Sequence, residues 1–249
     1  MSDERSESVF MQHFITFNRY KVCVEVGVWK GGTTQYLCNA AKATGGHVHG
    51  FDAWADHGLK KQFRGTPSIS QATVEADLRS KGHSNFTLNT IDSTSEAFKT
   101  LITQQCPVVD FAFIDGCHSY PGLKNDFDVV YPLLSPTGTI AFHDTLRIDG
   151  CREFMLDLRT KYFDGSYDII DLPWGLGDRR AGLSLLIKRQ FPVVNLPLDE
   201  VCGSPSSASQ ILEQESKWLQ AELKKHIPTQ VDASSIVVDT SKLGKIPKK

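Results

Sequence analysis

The apolar run FAFI, residues 111–114, closes on Asp115 and Gly116, and an imidazole, His118, stands three positions past the carboxylate. An ionised carboxylate only accepts hydrogen bonds, whereas a neutral imidazole offers one donor and one acceptor nitrogen and titrates near neutrality. Such a pair could carry chemistry. Asp-Gly is also ordinary turn chemistry, and a polar residue at a strand end is commonly just solvated. The neighbours of the pair decide between these readings.

Three further stretches put polar groups at the ends of apolar runs. VEVGVWKGGTT, residues 24–34, carries Glu25, Gly27 and Gly31, a spacing of E-x-G-x-x-x-G just ahead of a helix-forming segment. Glycines there allow a tight turn and close backbone approach, and a helix N-terminus offers unpaired N–H groups. The dinucleotide fingerprint needs G-x-G-x-x-G to seat a pyrophosphate, and an acid in place of the first glycine repels one. A ligand with a positive charge or an amino group suits Glu25 better. HGFDAW brings Asp52, 27 residues past Glu25, where a carboxylate can accept from both ribose hydroxyls. TIDSTSE brings Asp92 and Ser93 to a position from which an adenine edge can be read. Together these residues describe a nucleoside with a charged amino-acid tail and no phosphates.

The elements that must hold these residues alternate along the chain. Strands are expected at 22–26, 47–51, 86–91, 109–114 and 138–143, with helices over 33–43, 68–81, 93–104, 121–134 and 152–162 between or after them. The fourth is marked by Leu123, Phe127, Val130 and Leu134 on one face and is started by Pro121; the third opens on a Ser93-x-x-Glu96 capping box. Two late strands, 166–171 and 182–188, have no helix between them and read as an antiparallel hairpin. The expected fold is therefore α/β: a Rossmann-like, seven-stranded, mostly parallel sheet with a late antiparallel hairpin and helices on both faces. Residues 1–20 are expected as a helical extension, 21–190 as the main domain, and 191–249 as a polar helix over 208–226 with a linker and tail.

At 249 residues with a net charge of −2, the chain gives no electrostatic reason to expect nucleic acid or an acidic membrane as a partner. No apolar run approaches spanning length, and MSDERSES opens the chain without an apolar stretch behind it. Six cysteines without a C-x-x-C pair fit a reducing cytoplasm. The terminal helices are the expected surfaces for any homo-oligomer.

These motifs resemble the class I S-adenosylmethionine-dependent methyltransferases. The segment FIDGCHSYPGLKNDFDVVYPLLSPTGTIAFHDT, residues 113–145, is similar to the macrocin and antibiotic-sugar O-methyltransferase branch. The resemblance covers about residues 20–190 and leaves both ends of the chain outside it. It implies S-adenosylmethionine bound around Glu25, Gly27, Gly31, Asp52, Asp92, Ser93 and Asp115. It also implies a divalent cation, usually magnesium, held by Asp115, His143 and Asp144, with His118 as general base toward a hydroxyl of a sugar or another small polyhydroxylated acceptor. The branch mostly offers oxygen where this chain has His143. Either that ring turns away from the ion, or the site takes a softer ion such as manganese, iron or zinc.

Trp54 and His57 follow Asp52 as candidates for an acceptor wall, with a solvated loop as the plain alternative. Trp174, Arg179 and Arg180 sit in the late hairpin connection, where the two arginines read as a plain charged turn, and Cys117 reads as incidental. Two rivals stand beside the enzyme reading: an NAD-linked oxidoreductase, disfavoured by the missing glycine fingerprint, and a non-catalytic S-adenosylmethionine-binding or scaffold module using the 208–226 helix.

Overall fold

The computed structural model describes residues 4–54, 69–173 and 181–190, together with 216, 217 and 220. The chain divides into two compact units, Met1–Val193 and Val194–Lys249. The linker, nearly all of the 208–226 helix, Cys202, His57, Trp174, Arg179 and Arg180 lie outside the described residues.

Seven strands form one sheet: β1 (Val22–Val26), β2 (His47–Asp52), β3 (Phe86–Thr90), β4 (Val109–Ile114), β5 (Leu134–His143), β6 (Tyr167–Leu172) and β7 (Leu183–Lys188). Their order is β3-β2-β1-β4-β5-β7-β6. The first five are parallel, and β7 runs antiparallel to both β5 and β6. The expected fold class is the observed one. Strand order reverses between β1 and β4, so the crevice beyond their carboxyl ends is where an open α/β sheet binds ligands.

Side chains alternate across the strands and feed two cores. Val24, Val26, Ala112, Ile114, Ile140 and Phe142 pack on one face with Phe98, Ile102, Leu123, Phe154 and Leu158. These come from α4 (Glu96–Gln105), α5 (Tyr120–Val130) and α6 (Asp149–Thr160). Cys23, Phe111, Phe113 and Ala141 pack on the other with Met11, Ile15, Leu37, Cys38, Val74 and Leu78. That face belongs to α1 (Glu4–Asn18), α2 (Thr34–Thr44) and α3 (Gln71–Ser80). The period of two places Glu25 and His143 on the α1–α2 side of the sheet.

Two local expectations fail. The Ser93–Glu96 capping box does not form: α4 starts at Glu96 behind Ser95, whose side chain makes no cap hydrogen bond. Asp92 takes these residues into a turn instead, its Oδ1 accepting from Thr94 N at 2.9 Å and from Thr94 Oγ1 at 2.8 Å. A capping box does form one helix earlier, between Ser70 and Thr73. The helix expected to 134 stops at Val130; residues 131–133 make a 3₁₀ turn containing Pro132, and Leu134 opens β5. Among the described residues, no helix is long and apolar enough to cross a membrane.

Candidate functional site

Gly27 follows β1 with φ of 94°, and a Cβ there would sit 2.2 Å from the carbonyl oxygen of Asp115. Only glycine lets the ends of β1 and β4 approach so closely. Gly31 has φ of 73°, and a Cβ there would meet Val74 Cγ1 at 2.9 Å, so its freedom serves the turn and the seat of α3.

Glu25 lies beneath this loop at 1% exposure, its Oε2 accepting from Thr34 Oγ1 at the start of α2, 2.6 Å away. Burial raises its carboxyl to about 8, with Asp115 and Asp52 adding to the rise and the Thr34 hydrogen bond opposing it. Asp52 ends β2 with each oxygen on a backbone amide: Oδ2 accepts from Trp29 N at 2.7 Å and Oδ1 from Trp54 N at 2.6 Å. Trp54 Nε1 donates in turn to the Trp29 carbonyl at 2.9 Å. Both tryptophans have positive φ, 49° and 40°, so one carboxylate holds two strained turns. A carboxylate has about four lone-pair sites, which leaves acceptor capacity for ligand hydroxyls. Asp92 and Ser93 stand past β3, with Asn125 of α5 donating to the Ser93 carbonyl at 2.7 Å.

The second half of the site lies past β4 and β5. Asp115 Oδ1 is 3.0 Å from His118 Nε2 and 3.1 Å from His143 Nδ1. Asp144, at φ of 56°, turns its Oδ2 to 3.6 Å from both of those nitrogens. The other nitrogen of His143, Nε2, is 2.9 Å from Glu7 Oε2, on α1. Both His143 nitrogens thus face carboxylates and donate to them. Burial alone would lower this imidazole, but the hydrogen bonds to Asp115, Asp144 and Glu7 raise it to about 12. Asp115 is held below the usual carboxylate range: burial opposes this, and the two imidazoles overcome it. His118 is raised, chiefly by its hydrogen bond to Asp115.

Asp115, His118 and Asp144 each offer one ligand atom, all within 4.8 Å of one another. Two carboxylate oxygens and one imidazole nitrogen so placed fit a divalent cation, and the mixed donor set suits manganese, iron or zinc as well as magnesium. His143 comes to the same place with both nitrogens already engaged.

Residues 24–145 match a family model described as a methyltransferase domain. Over that segment the chain is similar to a methyltransferase domain. None of the curated proteins matches the sequence significantly. Solved structures similar to it include the O-methyltransferase from Bacillus cereus in complex with SAH, at 17% identity and a TM-score of 0.52, covering 74% of this chain and 81% of that one. The O-methyltransferase TomG from Streptomyces achromogenes, in complex with SAM, is 14% identical with a TM-score of 0.55, covering 74% and 80%. An rRNA methylase from Streptococcus thermophilus is 14% identical with a TM-score of 0.54, covering 73% and 95%. At these identities the likeness is one of fold.

Within the matched segment the sequence marks the strand-end residues and misses their partners. Thr34 and Trp29 lie inside the glycine loop, yet nothing in their types says that one bonds Glu25 and the other Asp52. Glu7 lies outside the matched segment altogether. Its one signal is position: Glu7, Met11 and Ile15 fall four apart on α1 and are 6%, 1% and 0% exposed, which sets an acid on an apolar stripe.

Proposed function

We propose that this methyltransferase transfers the methyl group of S-adenosylmethionine to a hydroxyl oxygen of a small polyhydroxylated molecule, a sugar being the favoured class. The observation that carries the proposal is the convergence of Asp115, His118 and Asp144 beside the β1–β4 crevice. Fold neighbours with SAM or SAH bound support the donor. The net charge of −2 supports a small-molecule acceptor over rRNA.

In this reading Glu25, Gly27, Gly31, Asp52, Asp92 and Ser93 form the cofactor side, with Asp52 accepting from the ribose. Asp115 borders both sides. His118 takes the proton of the acceptor hydroxyl as the oxygen forms its bond to the methyl carbon and the carbon–sulfur bond breaks, releasing S-adenosylhomocysteine. Asp115 and Asp144 would hold a divalent cation, which when bound orients vicinal hydroxyls and lowers the pKa of the attacking one. His143 is a brace between Asp115 and Glu7 and not a ligand. A second reading makes His118 the third ligand, favoured by the direction of its Nε2 toward both carboxylates.

Methyl-labelled S-adenosylmethionine offered with sugars, glycosides and polyols, and separately with an rRNA transcript, tests the proposal. Label should enter a small hydroxylated acceptor, fall in chelator and recover with magnesium or manganese. Label in rRNA alone would overturn the acceptor class. Transfer unaffected by chelation would leave His118 acting without a cation.

A further inference from the structure

α1 lies outside the segment that matches the methyltransferase family, yet it contributes one of the carboxylates that close the transfer side. Glu7 Oε2 accepts from His143 Nε2 at 2.9 Å, and the side chain of Glu7 is 8% exposed. The opposite edge of the same ring faces Asp115 Oδ1 at 3.1 Å and Asp144 Oδ2 at 3.6 Å. Phe113 lies edge-on to the ring with centroids 5.9 Å apart. An imidazole can turn over about its Cβ–Cγ bond and exchange a nitrogen edge for a carbon one; carboxylates at both edges and an aromatic wall leave it one favoured setting.

We propose that Glu7 is a positioning residue for methyl transfer: from α1 it fixes the ring of His143, and through that ring it fixes the carboxylates of Asp115 and Asp144. The inference rests on the transfer-site reading above. It makes α1 a part of the working site as well as a packing element. The packing stands without Glu7, because Met11 and Ile15 are buried and Phe14 packs on Tyr20 and Phe111 at 6.1 and 6.4 Å. Removal of one carboxylate therefore leaves the helix seated.

The test compares full-length wild type with Glu7→Ala and Glu7→Gln in three measurements: crystal structures, S-adenosylmethionine affinity by calorimetry, and Mn²⁺ affinity by electron paramagnetic resonance. In Glu7→Ala the His143 ring should turn and its contact with Asp115 should be lost. Mn²⁺ affinity should drop about 10- to 100-fold, the usual effect when a metal ligand, here Asp115, loses the partner behind it, here His143. S-adenosylmethionine affinity should stay within about twofold, since Glu7 serves the other half of the site. Glutamine keeps the length and an accepting oxygen, so Glu7→Gln should restore both the ring setting and most of the Mn²⁺ affinity. An unmoved His143 and Asp115 in a folded Glu7→Ala protein would overturn the inference, as would equal losses in the alanine and glutamine variants. Wild type that binds no Mn²⁺ would instead overturn the cation reading, and the ring setting in the crystals would then decide the role of Glu7.

Discussion

Glu25 at the end of β1 and Asp115 at the end of β4 sit on neighbouring parallel strands, at the same edge of the sheet and beside the same crevice. Their states differ. Glu25 meets a neutral hydroxyl and is raised to about 8 by burial, whereas Asp115 meets two imidazoles and is held ionised. Asp52 continues the first pattern with two backbone amides, and Asp144 the second with two imidazoles. Partners, not strand position, assign each carboxyl its task. The β1–β2 side offers fixed hydrogen bonds that suit holding a ligand. The β4–β5 side offers groups that exchange protons, and carboxyls whose environments push their titrations apart mark such a division of labour.

The largest effect expected from breaking the contrast is on the β4–β5 side. His118→Ala should slow the transfer step by about 10²–10⁴-fold, the usual loss for general-base function, and Asp115→Asn should slow it severely by loosening the cation. S-adenosylmethionine affinity should hardly change in either variant. Single-turnover formation of S-adenosylhomocysteine beside calorimetry separates the two quantities. The His118→Ala deficit should shrink at high pH, where hydroxide replaces the imidazole. A variant that loses cofactor binding and transfer equally would erase the division between the halves.

Asp52→Ala should do the reverse: a loss of about 1.5–3 kcal/mol in S-adenosylmethionine binding, with the transfer step little affected once the cofactor is saturating. Part of that loss would come from releasing the Trp29 and Trp54 turns that Asp52 holds. Asp52→Asn, which keeps an acceptor oxygen, should lose less. Unchanged affinity in the alanine variant would remove Asp52 from the cofactor site.

The same two halves show what a sequence can reveal about a site. All seven strands and their direction followed from apolar runs of strand length separated by helix-length gaps, since both signals are local. The strand-end acids and glycines followed for the same reason. What stayed hidden depends on contacts far apart in the chain. The Glu7–His143 bond spans 136 residues, and α1 reads from sequence only as a helix. The Ser93–Glu96 box failed because the side chain of Asp92 competed for the same turn with a shorter loop. Local rules give the acids, but only tertiary contacts say which acid meets an imidazole and which a hydroxyl.

A smaller effect should appear in the pH dependence of stability. The proton on Glu25 is held more tightly in the folded chain, at about 8, than in the unfolded one, near 4.5. The stability this contributes is fully present below 4.5 and is lost as pH rises through about 8, with a slope of roughly 1.4 kcal/mol per pH unit between those values. Asp126, pushed up to about 7 by burial, adds a slope of the same sign. Thermal unfolding of wild type and Glu25→Gln between pH 5 and 8 isolates the Glu25 share, because glutamine keeps an acceptor for Thr34 but has no titrating proton. The wild-type midpoint should fall faster with pH. Parallel curves would show that Glu25 is ionised throughout, and the contrast with Asp115 would then be lost.

The smallest effects belong to two adjacent glycines, and they sharpen the boundary of the β1 side. At Gly31 a methyl group would meet Val74 at 2.9 Å on backbone of φ 73°, whereas at Gly32 it would find nothing within 4 Å. Gly31→Ala should therefore cost about 1–2 kcal/mol of stability from the left-handed backbone alone, with the Val74 contact adding to it. Gly32→Ala should stay within about 0.5 kcal/mol, as an exposed substitution without a neighbour does. Denaturant unfolding of the two variants checks that difference. Because its fold should be unperturbed, Gly32→Ala also reports on the ligand: a methyl group there can weaken cofactor binding only by touching the cofactor. Binding within about twofold of wild type would place the cofactor clear of Gly32. A larger loss in an equally stable protein would move the cofactor one residue further along the loop, toward the N-terminus of α2.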